Sequence, residues 1–516
     1  MKFKSAASLD DRARPHELWD RYRVLRLEAE RERNRSDHTP EALQMLRDIV
    51  AEWGAETGLL SPDQPNKISR HMAEAKLRGL TRLLSRFPEF VSAAELAATE
   101  QFLDMAFGIY EHQDPTVNSA DHKDGFGFAF VVQIRVSPHN LDYAGELVPF
   151  VPVMHYVPPE LREAAMLGLP PFVTDTYTVN DRPGYLIIAP VFDCDARRQS
   201  RSDFVRTSRR TVQDAIDFAR RLGACVIGLG GVLPSITRYG QAIAAGDAIL
   251  TTGHGGTISL VMANIERALS RRDGGANPAL GVLGLGSIGQ AIAHEVITRY
   301  HGELPINVCD RDPAARRRFE NSIQGLPDAH LIGVQAEASN LISQATIVVS
   351  AVAGRVDLDA HGAVKDRLDG HFFVDDSQPY SLSPRQVTDR GGSITWVVGH
   401  TGPGIVRHFF DYGTMVDRNH DVFGCEAEAA ALTAELNSRV DHGLSTEDAF
   451  GQIADLAVRH AATNRDVKNI TELFDRHGIG LAQPQTLQTT ADEATTIDLT
   501  KQATRAETLG GADNRT

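Results

Sequence analysis

The 516 residues carry 53 Lys and Arg against 68 Asp and Glu, a formal net charge of −15, with 42% hydrophobic and 23% charged residues. That apolar share supplies sizeable cores and excludes wholesale disorder, while the length suggests about three domains. The acidic balance excludes a nucleic-acid binder held by phosphate contacts and is the wrong sign for an anionic membrane surface.

Four Cys (Cys194, Cys225, Cys309, Cys425), with no C-x-x-C pair, support neither a disulfide framework nor structural zinc, so no metal is expected. Met1 to Asp20 has no apolar core of a secretory signal. No run approaches the roughly 20 apolar residues of a membrane span. The expected setting is a reducing cytoplasm.

Residues 1–124 read as a charge-rich helical extension. Thr39-Pro40-Glu41 pairs an N-cap with proline at the first helical position, and Leu43, Leu46, Ile49, Val50 and Trp53 follow at helical spacing. A second helix is expected from about Lys67, with Ile68, Met72, Leu77, Leu80, Leu83 and Leu84 apolar. A third is expected from Ser92, where Ser-Ala-Ala-Glu is a capping-box signature. These helices suit a cap or a homo-oligomerisation element, and Gln113 to Asp124 reads as a linker.

Residues 125–260 read as the first part of a catalytic domain. Strands are expected at Phe126 to Ile134, Leu147 to Tyr156 and Gly184 to Phe192, and a helix over Thr211 to Leu222 with Gly223 as its C-cap. Val226 then begins a short strand that runs into Gly230-Gly231. Residues 261–400 read as a Rossmann unit, with strands at Ala279–Leu283, Ile306–Cys309, Ile347–Val352 and Phe372–Val374 and a helix at Ser287–Tyr300. Residues 401–485 complete the catalytic domain, and 486–516 have the composition of a disordered tail. The expected fold is therefore α/β: a parallel-sheet dinucleotide domain flanked by an α/β catalytic domain, plus the helical extension.

Gly284-Leu-Gly286-Ser287-Ile288-Gly289 follows a strand and opens a helix, the context in which G-x-G-x-x-G binds a dinucleotide. The first glycine makes the tight turn, the second admits the pyrophosphate, and the third lets helix and strand pack closely. The helix N-terminus then offers N–H groups to phosphate. Asp310, at the end of the next strand, suits ribose hydroxyls and leans towards NADH; Arg311 suits a 2′-phosphate.

Among the cysteines, Cys225 and Cys309 sit in apolar strands, and Cys194 lies between two aspartates. Cys425 instead begins the strong helix former Glu426 to Leu436. A thiol in a first helical turn faces the positive end of the dipole, which favours thiolate; Glu426 and Glu428 oppose it. A helix-packing cysteine fits these residues as well.

From about Phe126 to Gln485 the chain resembles the long-chain acyl-acyl-carrier-protein reductases of cyanobacteria. The segments carrying the likeness occur in order: Ala219 to Gly231, Leu250-Thr-Thr-Gly-His-Gly-Gly-Thr257, the Gly284–Gly289 turn, Val374-Asp-Asp-Ser-Gln-Pro, Val406-Arg-His-Phe-Phe-Asp, Phe423-Gly-Cys-Glu-Ala-Glu-Ala and Arg476-His-Gly-Ile. The resemblance implies that Cys425 takes the acyl group as a thioester, that Glu428 and His408 belong to the site, and that the cofactor is NADPH. It further implies an acyl thioester substrate, on a carrier protein or coenzyme A, released as an aldehyde. The loop with Thr252, Gly253, His254 and Thr257 would border the nicotinamide or the acyl carbonyl. Arg197, Arg198, Arg201, Arg206, Arg209 and Arg210 form a candidate docking cluster for an acidic carrier. Residues 1–124 have no counterpart in that family.

Two other readings remain. One is an NAD(P)-dependent dehydrogenase of a small hydroxy or amino acid with His254 or His408 as proton carrier. The other is a dinucleotide-sensing binding protein.

Overall fold

The computed structural model describes residues 15–35, 38–60, 70–112, 126–134, 151–166, 168–192, 201–271, 278–327, 329–352, 356, 358, 367–377, 381–408, 420–458 and 463–482. Residues 113–124, Cys194, Arg197, Arg198 and the tail 486–516 lie outside the described residues, as do the side chains of Arg201 and His408.

One six-stranded sheet has the order β13-β2-β3-β1-β4-β5. Its strands are β1 (Gly127–Ile134), β2 (Phe172–Val179), β3 (Arg182–Phe192), β4 (Ala224–Leu229), β5 (Ile249–Thr251) and β13 (Ile405–His408). Strands β3, β1, β4 and β5 run parallel, and β2 and β13 are antiparallel additions. The second sheet comprises β6 (Leu280–Leu283), β7 (Ile306–Cys309), β8 (Ile332–Gln335), β9 (Ile347–Ser350), β10 (Phe372–Asp375) and β11 (Ser393–Trp396). Its order, β11-β10-β9-β6-β7-β8, is all parallel and reverses direction between β6 and β9. Such a reversal opens a crevice at the carboxyl ends of the strands, where doubly wound sheets bind ligands. A small antiparallel sheet joins β12 (Val398–His400), β14 (Asp421–Phe423) and β15 (Gly480–Leu481).

The helices used below are α1 (Pro15–Arg35), α2 (Pro40–Thr57), α3 (Arg70–Leu84), α4 (Ala93–His112), α5 (Pro159–Met166), α6 (Arg201–Arg221) and α7 (Leu233–Ile236). They continue with α8 (His254–Ser270), α9 (Ser287–Tyr300), α10 (Pro313–Ile323), α11 (Ala338–Gln344), α12 (Pro384–Thr388), α13 (Gly424–Asp441), α14 (Thr446–Leu456) and α15 (Asn464–Arg476).

The expected caps form. Thr39 Oγ1 accepts the Ala42 N–H at 3.2 Å. Ser92 Oγ accepts the Glu95 N–H at 3.2 Å while Glu95 Oε2 accepts the Ser92 N–H at 3.0 Å. Helix α1 was not marked by periodicity, because its buried stripe of Tyr22, Arg26 and Ala29 has an arginine at its centre.

Two segments depart from the sequence expectation. Pro152–Tyr156 is a 3-10 turn, not a strand; its Tyr156 hydroxyl donates to the Phe90 carbonyl at 2.8 Å and to Glu95 Oε2 at 3.1 Å. Tertiary bonds to the α4 cap thus override the β-type composition there. Helix α6 begins at Arg201, ten residues before the expected Thr211, because an arginine-rich helix can run on where one face packs and the other is solvated.

Strand β2 was unmarked in the sequence. It forms a hairpin with β3 through Asn180 and Asp181, at φ 48° and 62°, the left-handed pair of a two-residue hairpin turn.

The N-terminal helices share one core with the sheet. Tyr22, Leu46, Val50, Leu77, Leu80, Phe102 and Phe107 pack with Val151–Tyr156, Phe172 and Ile188. No described helix is long and apolar enough to cross a membrane.

Candidate active site

The glycine turn sits at the switch point, directly after β6. Gly284 has φ +91°, and a Cβ there would come within 2.6 Å of the Ala351 carbonyl oxygen at the end of β9. A Cβ on Gly289 would lie 1.9 Å from the Gly284 oxygen, so only glycine lets α9 start this close to the strand. A Cβ on Gly286 would meet nothing within 4 Å. That open face, beside the first turn of α9 at Ser287 and Ile288, is the cradle a pyrophosphate fits.

Asp310 braces the turn: Oδ2 accepts the Leu285 N–H and Oδ1 the Asp312 N–H, each at 2.7 Å. A carboxylate keeps further acceptor capacity for ribose hydroxyls. Arg311 follows it on the exposed surface. These residues fit a dinucleotide without separating NADH from NADPH.

A second cluster forms where the segment after β5 meets the segment after β14. After β5 the chain passes Thr251, Thr252 and Gly253 into α8, while β14 leads through Gly424 and Cys425 into α13. The first turns of these two helices touch backbone to backbone. Gly253 has φ +69°, and a Cβ on it would come within 2.3 Å of Cys425 Cβ. A Cβ on Gly256 would lie 2.2 Å from the Gly424 oxygen, and one on Gly424 would lie 2.6 Å from Thr257 Cα. Cys425, half-buried, therefore stands where two positive helix ends meet. By contrast, burial pushes the Cys309 thiol up to about 11 and the Cys225 thiol up to about 12.

Glu428 holds this junction together. Fully buried, it accepts bonds from the Thr251 hydroxyl, the Gly256 N–H at 2.7 Å and the Val458 N–H at 3.4 Å. Burial raises its carboxyl to about 7 against the pull of those donors. Its oxygens are directed at the protein, so we read it as a positioning residue.

Thr252 takes part through three contacts: its N–H donates to the Val458 carbonyl at 2.8 Å, its hydroxyl donates to the same carbonyl at 3.0 Å, and its Oγ1 lies 2.9 Å from His254 Nδ1. Thr257 is buried, with its N–H on the Gly253 carbonyl at 3.1 Å.

His408 ends β13, paired with Thr176 of β2. The neighbouring Tyr177 hydroxyl donates to Glu426 Oε1 at 2.9 Å, so this strand pair reaches the start of α13 from its other side.

The basic cluster is partly committed to the fold. Arg206 pairs with Asp203 at 2.6 Å, and Arg209 Nε donates to the Ile236 carbonyl at 2.7 Å. Tyr239, which carried no sequence signal, lies with its ring centroid 5.5 Å from that of His254.

Residues 279–379 match the family described as NADP oxidoreductase, coenzyme F420-dependent. The match spans the Rossmann sheet from β6 past β10, under half of the chain, and marks that part as an NAD(P)-type oxidoreductase domain. A comparison with curated proteins finds no match.

Among solved structures, the chain is similar to the A chain of dipicolinate synthase from Bacillus subtilis at 16% identity and a TM-score of 0.24, covering 36% of this chain and 59% of that one. It thus spans under two thirds of that protein. L-Tryptophan dehydrogenase from Nostoc punctiforme is similar at 12% identity and a TM-score of 0.26, with coverage of 69% and 89%. Quinate dehydrogenase from Corynebacterium glutamicum, in complex with NAD, is similar at 14% identity and a TM-score of 0.27, with coverage of 68% and 99%. Likenesses this distant carry no argument about substrate.

Proposed function

We propose that the chain is an NAD(P)H-dependent reductase that converts an acyl thioester to an aldehyde through an acyl-enzyme on Cys425. The observation that carries this reading is Cys425 at the meeting of two helix N-termini, with Gly253 pressed against it. Two dipole ends favour an anion there, first the thiolate and then the oxygen of a tetrahedral adduct.

The thiolate attacks the thioester carbonyl; a carbon–sulfur bond forms to Cys425 and the one to the carrier breaks. The carrier sulfur leaves with the proton that Cys425 gave up, and in this reading His254, the residue after Gly253, carries it. When bound, NAD(P)H supplies the hydride that reduces the acyl-enzyme carbonyl. Cys425 then departs as thiolate, releasing aldehyde. The substrate rides on a carrier protein or coenzyme A, and the helices of residues 1–124 are a candidate homo-oligomer contact.

The test is intact-mass spectrometry after mixing with a panel of acyl thioesters. Parent protein gains one acyl group, while Cys425→Ala gains none and loses turnover. Full turnover by Cys425→Ala would sink the reading.

A second reading, a dehydrogenase of a small hydroxy or amino acid without covalent catalysis, has one support: Thr252 Oγ1 lies 2.9 Å from His254 Nδ1, a contact that orients the imidazole as a proton carrier needs. Turnover of such acids that survives Cys425→Ala identifies this case.

A further inference from the structure

The loop between α7 and β5 contains an oddity. Arg238, Tyr239 and Gly240 have consecutive φ values of 52°, 57° and 81°, all left-handed. Glycine adopts this conformation freely, whereas a bulky aromatic residue there is strained by about 1 kcal/mol or more.

The turn itself does not require a tyrosine. It is fastened by the Tyr239 N–H on the Pro234 carbonyl at 2.6 Å, the Thr237 hydroxyl on the Leu233 carbonyl at 2.8 Å, and the Gly240 N–H on Thr237 Oγ1 at 3.1 Å. None of these contacts uses the phenol ring. What the ring touches is His254, with centroids 5.5 Å apart and planes at 53°. From the other side His254 Nδ1 meets Thr252 Oγ1 at 2.9 Å. The imidazole is therefore held between a hydroxyl and an aromatic ring, one residue from the glycine that presses on Cys425.

We propose that Tyr239 is a positioning residue of the active site, whose ring fixes the His254 imidazole for proton transfer. The proposal rests on the reductase reading for the identity of the substrate, although His254 is the proton carrier in the dehydrogenase reading as well. An edge or tilted contact between rings at this separation is attractive and directional. It limits the imidazole to one orientation, and orientation of a transferring group is worth a large factor in rate.

The experiment compares Tyr239→Phe and Tyr239→Leu in the full chain, by kinetics and by the NMR resonance of the His254 ring protons. The expected result is that Tyr239→Phe stays within about twofold of the parent while Tyr239→Leu loses about tenfold in kcat with little change in KM. The His254 resonance loses its ring-current shift only in Tyr239→Leu. Parental kcat in Tyr239→Leu, or an unmoved His254 resonance, overturns the proposal. If the parent turns over no thioester, the reductase reading is what failed; the NMR comparison, with kcat on a hydroxy or amino acid, then decides the role of Tyr239.

Discussion

At the scale of single residues, the glycines of the two half-sites predict opposite outcomes for the same substitution. At Gly286 an added methyl meets open space and φ is an ordinary −68°, so the Gly286→Ala protein should melt with the parent. The methyl occupies the pyrophosphate cradle, however, so NAD(P)H affinity should fall by about tenfold or more, read by cofactor fluorescence titration. At Gly253 the methyl would collide with Cys425 and the backbone would be held at φ +69°. Gly253→Ala should cost about 2 kcal/mol or more in urea unfolding and abolish acyl transfer. The turn at Gly286 was legible in the sequence because G-x-G-x-x-G has a local geometry. The constraint on Gly253 was not, because the atom it avoids lies 172 residues away along the chain, at Cys425.

At the scale of elements, α13 carries two carboxylates whose pH dependences have opposite sign. Burial raises Glu428 from 4.5 to about 7, so the folded state keeps a proton that the unfolded chain releases. Its contribution is complete below pH 4.5 and is lost as pH rises through about 7. The His477 bond, with help from Arg439 and Arg476, lowers Glu435 to about 2. That contribution is present above 4.5 and is lost as pH falls through about 2. Urea midpoints across pH should therefore show Glu428→Gln without the decline between pH 5 and 7, and Glu435→Gln without the decline at acid pH. Glu428→Ala should cost at least about 3 kcal/mol, since it leaves buried donors on α8 and at Val458 without an acceptor. The helix itself was plain from its Ala, Glu and Leu content. Which of its glutamates faces a junction and which an ion pair is set by α8, which ends at Ser270, and by α15 and its C-cap His477, which follow from Asn464 onward.

At the scale of the molecule, the described helices α1 to α4 are part of the fold rather than an appendage. Phe102 of α4 meets Phe172 of β2 with ring centroids 5.1 Å apart, and Arg78 on α3 bonds Glu100 and Asp104 on α4 at 2.6 and 2.8 Å. Removing residues 1–112 would expose Phe172, Ile188, Val151, Val153, Met154 and Tyr156, all buried at present. The shortened chain should bind a hydrophobic dye and unfold in a broader calorimetric transition than the full chain. An unchanged transition would show instead that the helices form a detachable cap. The glycine turn follows β6 and the Thr252–Gly253 segment follows β5, both at carboxyl ends of parallel strands, while Cys425 follows the antiparallel strand β14.

The sequence by itself determined β6, β7, β9, β10 and the helix α9, the glycine turn between β6 and α9, the caps at Thr39 and Ser92, and Cys425 as the cysteine that opens a helix. Each of these depends on neighbours within a few residues, where spacing and φ preference carry the information. Only the tertiary structure decided that α8 and α13 meet end to end, that Glu428 is a brace, that Tyr239 rests on His254, and that the N-terminal helices cover the first sheet. Those facts depend on contacts between distant segments, which hydrophobic periodicity records as a buried face without naming the partner.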